Sequence, residues 1–426
     1  MTQDRCTRPG TLSGWLSVLL LAALSSCNSA GKNRVSVIEG VPGSRRLNLV
    51  LVTIDTLRAD RLGCYGYSQI ETPNLDRLAQ RGVLFENAVA QAPLTAPSHA
   101  SILTGMYPTA HKVRDTGGFV LPASDATLAP ILRRQGWDTA GFVGASVLKK
   151  RFGFDQGFAV YDDQMPKLAA RNIASEYAER RAGEVVDRAI AWLSTQSGKP
   201  FFLWVHVFDP HSPYDPPSPF REKYEGRPYD GEVAYTDQQL GRLFQAIAKK
   251  SPPEKTLVAV LSDHGESLSE HGEYTHGVFL YDSTLRIAFI MAGPGVPAGL
   301  RMKQQARTID LLPTLLELTG NKVPAEVQGS SLAPTFTGEE VPASYSYAET
   351  LFPKINMGWA ELRGLRTNRW KYIRAPKPEL YGSAQEFVEA LFLRPFGIVA
   401  VPVRAGRLRI CRGPRVASRE DRELSP

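Results

Sequence analysis

Three stretches of this sequence are unbroken runs of apolar and β-branched residues that stop at polar clusters. "RLNLVLVTID" ends at Asp55, "FFLWVHVF" leads to Asp209 and His211, and "TLVAVLSDHG" reaches Asp263 and His264. A strand that is apolar at every position must be covered on both faces, which is the habit of parallel sheets. Between the runs lie amphipathic helical stretches: "TPNLDRLAQRG", "SDATLAPILRRQG", "ASEYAERRAGEVVDRAIAWLS", "GEVAYTDQQLGRLFQAIAKK" and "TIDLLPTLLELTG". In the first, Thr72 is a candidate cap, Pro73 suits the first turn and Gly82 the stop. The alternation predicts an α/β three-layer sandwich around a mostly parallel sheet. Ligands of such folds sit beyond the carboxyl ends of the strands. Asp55, Asp209 with His211, and Asp263 with His264 should therefore converge. From about residue 326, "SYSYAET", "ELRGLRT" and "RWKYIRAP" are short, alternating and aromatic, and predict a small antiparallel subdomain.

Both ends of the chain differ from this pattern. Arg5 and Arg8, the apolar run "LSGWLSVLLLAAL" and "LSSC" ending at Cys27 have the layout of a secretory signal. The run is short for a membrane span, and Leu-Ser-Ser-Cys resembles a bacterial lipobox, which would make Cys27 the lipidated first residue of the mature protein. The expected organisation is a signal over 1–27, a polar tether over 28–46, a catalytic domain over 47–325 and the small subdomain over 326–382. Residues 383–426 hold eight Arg and no Lys against five acids, and lack clean periodicity. They read as foreign to the fold, as a shifted or truncated reading frame near Tyr381–Gly382 would produce; a genuine basic tail is the alternative. Much of the formal net charge of +7 resides in this tail. Without aromatic-basic interleaving the charge does not point to nucleic acid. Four cysteines with no CxxC pair do not form a disulfide framework.

Each polar residue has an ordinary reading beside a chemical one. Asp55 alone would form a turn, and Asp263-His264-Gly265 alone is a polar turn. Together, two carboxylates and an imidazole suit a divalent cation, Zn²⁺ or Mn²⁺ better than Ca²⁺. Thr95, ahead of "APSHASILTG", would ordinarily cap a helix beginning near Pro97. The same place offers free N–H groups to a phosphate or sulfate, and a hydroxyl beside a cation becomes a nucleophile. His99, His211 and His276 are candidates for proton transfer or for holding a substrate oxygen; His111 and Arg114 are further substrate-binding candidates. Asp209, His211 and His276 would serve a second cation if the site holds two. His206 falls inside a strand, where a structural role is expected.

Taken in order, "LVLVTIDTLRADRLGCYGY", "TPNLDRLAQRGVLFENAVAQAPLTAPSHASILTG", "FLWVHVFDPHSPY", "VLSDHGESLSEHGEYTHG" and "KYI" resemble the sulfatase branch of the alkaline phosphatase superfamily. The resemblance spans 47 to about 375. It implies an alkaline phosphatase-like fold and metal-dependent ester hydrolysis. It places Asp55, Thr95, Asp263 and His264 around one cation (Zn²⁺, Mn²⁺ or Ca²⁺), and His211 and His276 near the anionic head of a small-molecule, glycan or lipid ester. His276 falls where many sulfatases carry a Lys. Three departures stand out. Thr56 occupies the position of a second metal-binding Asp. Thr95 replaces the Cys or Ser that is oxidised to formylglycine, so no formylglycine is expected. His99 replaces an Arg. A sulfated or phosphorylated Thr must be opened by water or another acceptor, so the chemistry expected is direct displacement. A membrane-tethered headgroup transferase and a non-catalytic binding protein on the same fold are the alternatives. The expected location is the cell envelope, on the periplasmic face, held by a lipid on Cys27.

Overall fold

A computed structural model of the chain describes residues 47–382 apart from 125, 167–178, 197, 340–344 and 377–378, together with two strands at 398–403 and 407–412. The sequence-based expectations for the signal, Cys27, the tether and most of the tail lie outside these residues. The main sheet contains β1 (Asn48–Ile54), β2 (Val83–Val89), β3 (Asp138–Val143), β4 (Val160–Asp162), β5 (Phe201–Val207), β6 (Thr256–Ser262), β7 (Arg286–Ile287), β8 (Phe289–Ala292) and β9 (Leu300–Arg307). Its order is β4-β3-β5-β1-β6-β8-β2-β7, with β9 beside β2 off that path. From β4 to β6 all neighbours are parallel. Beyond β6 the sheet turns mixed: β8 opposes both β6 and β2, and β7 opposes β2.

The unbroken apolar runs have their explanation in the two cores. Leu49 and Leu51 of β1 enter one core with Phe202, Trp204, Leu257 and Ala259. Val50, Val52 and Ile54 enter the other with Leu203, Val205 and Val260. Successive residues of a strand face opposite ways, so a strand buried on both sides has no polar position to offer. Helices Thr95–Thr104, Leu128–Arg134 and Leu311–Leu318 close the first core, and Pro73–Gln80, Ala182–Thr195 and Pro228–Lys250 close the second. Among the described residues no helix is long and apolar enough to cross a membrane.

One expected helix start is built differently. Thr72 makes no capping bond to the Pro73–Gln80 helix. Its hydroxyl instead accepts the Gly63 N–H at 3.0 Å. The free N–H groups of Asn74 and Leu75 go to the Asp237 carboxylate at 3.2 and 2.8 Å. A long-range carboxylate thus does the work assigned to the local hydroxyl.

The small subdomain is a four-stranded antiparallel sheet in chain order: β10 (Ser346–Thr350), β11 (Leu362–Arg366), β12 (Trp370–Arg374) and β13 (Glu379–Gly382). Lys371 on β12 reaches Asp282 at 2.6 Å, and Arg366 on β11 reaches the same carboxylate at 3.3 Å. These contacts fasten it to the segment that follows β6. In the tail, Ile398–Val403 and Arg407–Arg412 pair as an antiparallel hairpin.

Asp263 and His264 leave β6 through Gly265, whose N–H bonds the Thr284 carbonyl at 2.8 Å. A Cβ on Gly265 would stand 2.2 Å from the Ser283 carbonyl oxygen. Gly265→Ala must push the two backbones apart, at a cost of about 1–3 kcal/mol by the scale of core overpacking. We expect a thermal midpoint several degrees lower, read by circular dichroism, with cation affinity reduced because Asp263 and His264 move with the strand end.

Candidate active site

Parallel pairing brings the strand ends together. Thr53 lies opposite His206 of β5 and Leu261 of β6. One step on, the Asp55 N–H bonds the Val207 carbonyl at 3.0 Å, and the Asp263 N–H bonds the Ile54 carbonyl at 3.3 Å. The two carboxylates therefore emerge side by side. Thr56 adopts φ 53°, a costly conformation for a β-branched residue. That turn aims its N–H at Asp263 Oδ1, at 3.2 Å. The Tyr229 hydroxyl holds it from the other side, donating to the Thr56 carbonyl at 2.8 Å and accepting the Arg58 N–H at 2.9 Å. The Thr56 hydroxyl bonds the Pro210 carbonyl. So where the resemblance implied a second carboxylate, this chain uses the Thr56 backbone to hold Asp263 in place.

Thr95 starts its helix as the first helical residue, with Leu94 as the cap residue. Its hydroxyl lies 3.5 and 3.4 Å from the two Asp55 oxygens and 3.5 Å from His264 Nε2. His264 Nε2 is itself 3.6 Å from Asp55 Oδ1 and 3.5 Å from Asp263 Oδ2. His264 Nδ1 sits 2.9 Å from the Gly265 carbonyl oxygen, which can only accept, so Nδ1 carries the proton. The bare Nε2 lone pair then faces two carboxylates. All three residues are fully buried, and Asp263 Oδ2 has no hydrogen-bond partner among the described residues. Burial pushes both carboxyls up, and Asp55 pushes Asp263 further. Burial opposes charge on His264, but Asp263 and Asp55 outweigh it and raise the ring above its usual range. Such an arrangement asks for a positive charge at its centre. The donor atoms of Asp55, Asp263 and His264 lie within 4.8 Å of one another, so the residues fit a divalent cation.

His99 belongs under this site rather than in it. Its Nδ1 donates to the Thr95 carbonyl at 2.8 Å, and its Nε2 accepts the Thr53 hydroxyl at 2.9 Å. Thr53 in turn accepts the Trp204 indole N–H at 3.0 Å. Every donor and acceptor of this chain is used, and burial pushes His99 down to about 3. His99 is thus placed as a neutral prop for Thr95, with both ring nitrogens engaged. His206 proves more than a strand filler. The Gly144 N–H reaches its Nδ1 at 3.2 Å, which leaves the ring proton on Nε2, 3.5 Å from Asp55 Oδ2. The ring thus flanks the Asp55 carboxylate without a hydrogen bond to it.

Other expected residues separate into two groups. His211 and His276 do join the site: their rings meet edge to face at 5.1 Å, and His276 lies 4.5 Å from the His264 ring. Asp209 does not join them. Its Oδ2 takes the Ala182 N–H at 2.7 Å, at the start of the Ala182–Thr195 helix. Accordingly the tight donor groups among the described residues, Asp55–Asp263–His264 and His99–His206–Asp263, include neither His211 nor His276. His111 is buried behind the Thr95 helix, bound to the Ser101 hydroxyl at 3.0 Å and the Val113 N–H at 3.2 Å. Arg114 makes a two-pronged bond to Glu349 of β10 at 2.6 and 2.7 Å. Both ring nitrogens of His111, and Nε and Nη2 of Arg114, are thus engaged in structural bonds. The residue overlooked in the sequence is Glu266, two positions past His264 and fully buried, whose Oε1 takes His276 Nδ1 at 3.1 Å.

Similarity to known proteins identifies the family. The sulfatase family model matches residues 47–321, and that for the C-terminal region of N-sulphoglucosamine sulphohydrolase matches 269–384. The chain belongs to the sulfatase family, whose enzymes depend on metal, and with it to the sulfuric ester hydrolases. An ulvan-active sulfatase of Formosa agariphila is 25% identical over 413 residues, covering 84% of this chain and 78% of the relative. A Δ4,5-hexuronate-2-O-sulfatase of Bacteroides thetaiotaomicron is 25% identical over 405 residues, covering 78% and 82%. In fold, the phosphonate monoester hydrolase of Agrobacterium radiobacter superposes with a TM-score of 0.67 at 21% identity, over 79% of this chain and 89% of that one.

A buried carboxylate pair relieved by a cation has a thermodynamic signature. Stripping the purified protein with a chelator should lower its thermal midpoint, and restoring Zn²⁺ or Mn²⁺ at 100 times the dissociation constant should return about 2.7 kcal/mol. Asp263→Asn should abolish that metal-dependent shift. A midpoint indifferent to chelation and to both ions contradicts the cation site.

Proposed function

We propose that this protein hydrolyses an anionic sulfate or phosphate ester, with Thr95 as a nucleophile that needs no formylglycine and with one divalent cation held by Asp55, Asp263 and His264. The observation that carries the reading is the Thr95 hydroxyl, within 3.5 Å of both Asp55 oxygens and of His264 Nε2. A hydroxyl in that position touches the donor set directly. Bound there, a cation offsets the charge of the ester head and makes the Thr95 hydroxyl easier to deprotonate.

The chain's own residues do the rest. The Thr95 hydroxyl gives up its proton as Oγ bonds to sulfur or phosphorus, and the leaving oxygen departs as the protonated alcohol, giving a Thr ester. Water then attacks the same atom and loses a proton, Thr95 Oγ departs and regains one, and sulfate or phosphate is released. His99 fixes the backbone of Thr95, and Ser98 ties the same helix to the Asp263 carbonyl at 2.6 Å. The first-turn N–H groups of the Thr95–Thr104 helix favour the anionic head. His211 and His276 face it from the loops after β5 and β6. Two carboxylates and one imidazole favour Zn²⁺ or Mn²⁺ over Ca²⁺. The relatives named for sulfated glycans support an anionic glycan or small-molecule ester as substrate. The basic, apolar and Leu-Ser-Ser-Cys segments at the amino terminus support export and a lipid tether on Cys27.

The deciding variants are Thr95→Ala and Thr95→Ser, assayed on aryl sulfate, phosphate monoester, phosphate diester and phosphonate ester substrates. Thr95→Ala should fold normally and lose at least about 10³-fold in kcat, the scale of losing an activated nucleophile. Thr95→Ser should keep measurable turnover without any modified residue in its mass spectrum. Full activity in Thr95→Ala would remove Thr95 from the mechanism.

A further inference from the structure

A cavity of about 400 Å³ lies between the segment that follows His276 and the small subdomain. Val278, Phe279, Tyr281, Trp359, Leu362 and Ile373 are among its walls. Among the described residues that line it, the only polar side-chain atoms are the Tyr281 hydroxyl and the Trp359 indole N–H. Pockets for small molecules have this size and this mostly apolar lining. The cavity adjoins the site through one stretch of chain. At its start the His276 ring lies 4.5 Å from the His264 ring, and Val278 already walls the cavity. Consecutive Cα atoms are about 3.8 Å apart, so the Cα atoms of His276 and Val278 are at most about 7.6 Å apart. Gly277 is pinned between the two regions. A Cβ there would stand 3.1 Å from Leu94, the neighbour of Thr95, and 3.6 Å from Phe352, the neighbour of Pro353 in the cavity wall.

The far wall is apolar and open to solvent. Trp359 is 61% exposed, and Ile355 and Met357 just before it are exposed as well. Clustered apolar side chains left in water mark a binding surface. The cations beside them are already matched: Lys354 and Arg363 both pair with Glu361, at 2.8 and 2.5 Å, and Lys371 pairs with Asp282 at 2.6 Å. A ligand with further anionic groups gains little there, whereas an apolar one covers surface that water now wets. A protein partner would need roughly 800 Å² from each side; a cavity of this size suits one small molecule. Resting on the ester-hydrolase reading, we propose that this cavity is the leaving-group subsite, and that the ester it serves is that of an apolar, uncharged alcohol rather than of a glycan bearing further anionic groups. The sulfate or phosphate head sits at Thr95, the alcohol half lies along Val278 to Tyr281 against Trp359, and the freed alcohol departs from the cavity.

The test is a series of linear alkyl sulfates and alkyl phosphates of two to eight carbons. For whichever ester turns over, kcat/KM should rise by about 4-fold per added methylene, the scale of burying a CH₂ group. Trp359→Ala should cut that increment to below about 2-fold, and Ala360→Trp, which narrows the cavity, should abolish it. The increment is a ratio within each variant, so a general loss of activity or stability does not move it. An active wild-type protein indifferent to chain length, or an increment that survives in Ala360→Trp, overturns the proposal. A second arm needs no turnover: 1-octanol titrated into the full chain should bind by calorimetry, at least about 10-fold more weakly in Ala360→Trp. Absence of binding overturns the proposal. So does a dimer in sedimentation that Ala360→Trp dissociates, which would assign the surface to a second copy of the chain. Failure of the ester-hydrolase reading looks different: octanol binds as expected, but no ester turns over, or turnover survives in Thr95→Ala.

Discussion

Two carboxylates and an imidazole lone pair meet in the interior with no solvent to separate them. Asp55, Asp263 and His264 are each fully buried, and their donor atoms crowd within 4.8 Å. Left alone, the arrangement is repulsive, and proteins do not retain buried like charges without a partner. A cation turns the same geometry into an attractive one. Everything nearby then reads as support for that point: Thr56 in a strained turn, His206 facing Asp55, Ser98 on the Asp263 carbonyl, and His99 under Thr95. These supports come from β1, β5, β6 and the Thr95–Thr104 helix. The site is therefore a property of the sheet's register.

That dependence explains how the fold can accommodate the nucleophile we propose. The strand ends place the candidate cation site, and the helix start places whichever residue stands at 95. A Thr at that position leaves the helix, its free N–H groups and the donor set intact. On the proposed mechanism, what changes is the exit from the covalent ester, which water opens by attack on sulfur or phosphorus.

The parallel core was legible because strands buried on both faces are mostly apolar, and β1, β5 and β6 keep their polar residues to the strand ends apart from Thr53 and His206. Their polar endings announced Asp55, Asp263 and His264 for the same reason. β2 and β9 were less legible: "VLFENAV" and "LRMKQQAR" carry polar residues, since β2 exposes Glu86 and Asn87 in part and β9 is half exposed along its first residues. Side-chain direction could not be read either. His99 and Asp209 sit within a few residues of Thr95 and His211 in sequence, and His111 follows on the same stretch as Thr95, yet each points into structure. Glu266 was hidden in plain view in "SDHGE", because nothing local shows that it meets a residue ten positions on. Its only sequence signal is a carboxylate beside the Asp-His pair in a segment with no surface to serve.

The most direct test of the account is to catch the covalent ester. Metal-loaded protein mixed with an activated aryl sulfate or phosphate is quenched in acid within the first turnover, digested and analysed by mass spectrometry. A Thr95 nucleophile predicts the added sulfo or phospho group on Thr95, with no such adduct in Thr95→Ala. A quenched, catalytically active protein whose Thr95 peptide stays unmodified while another residue carries the group would contradict it.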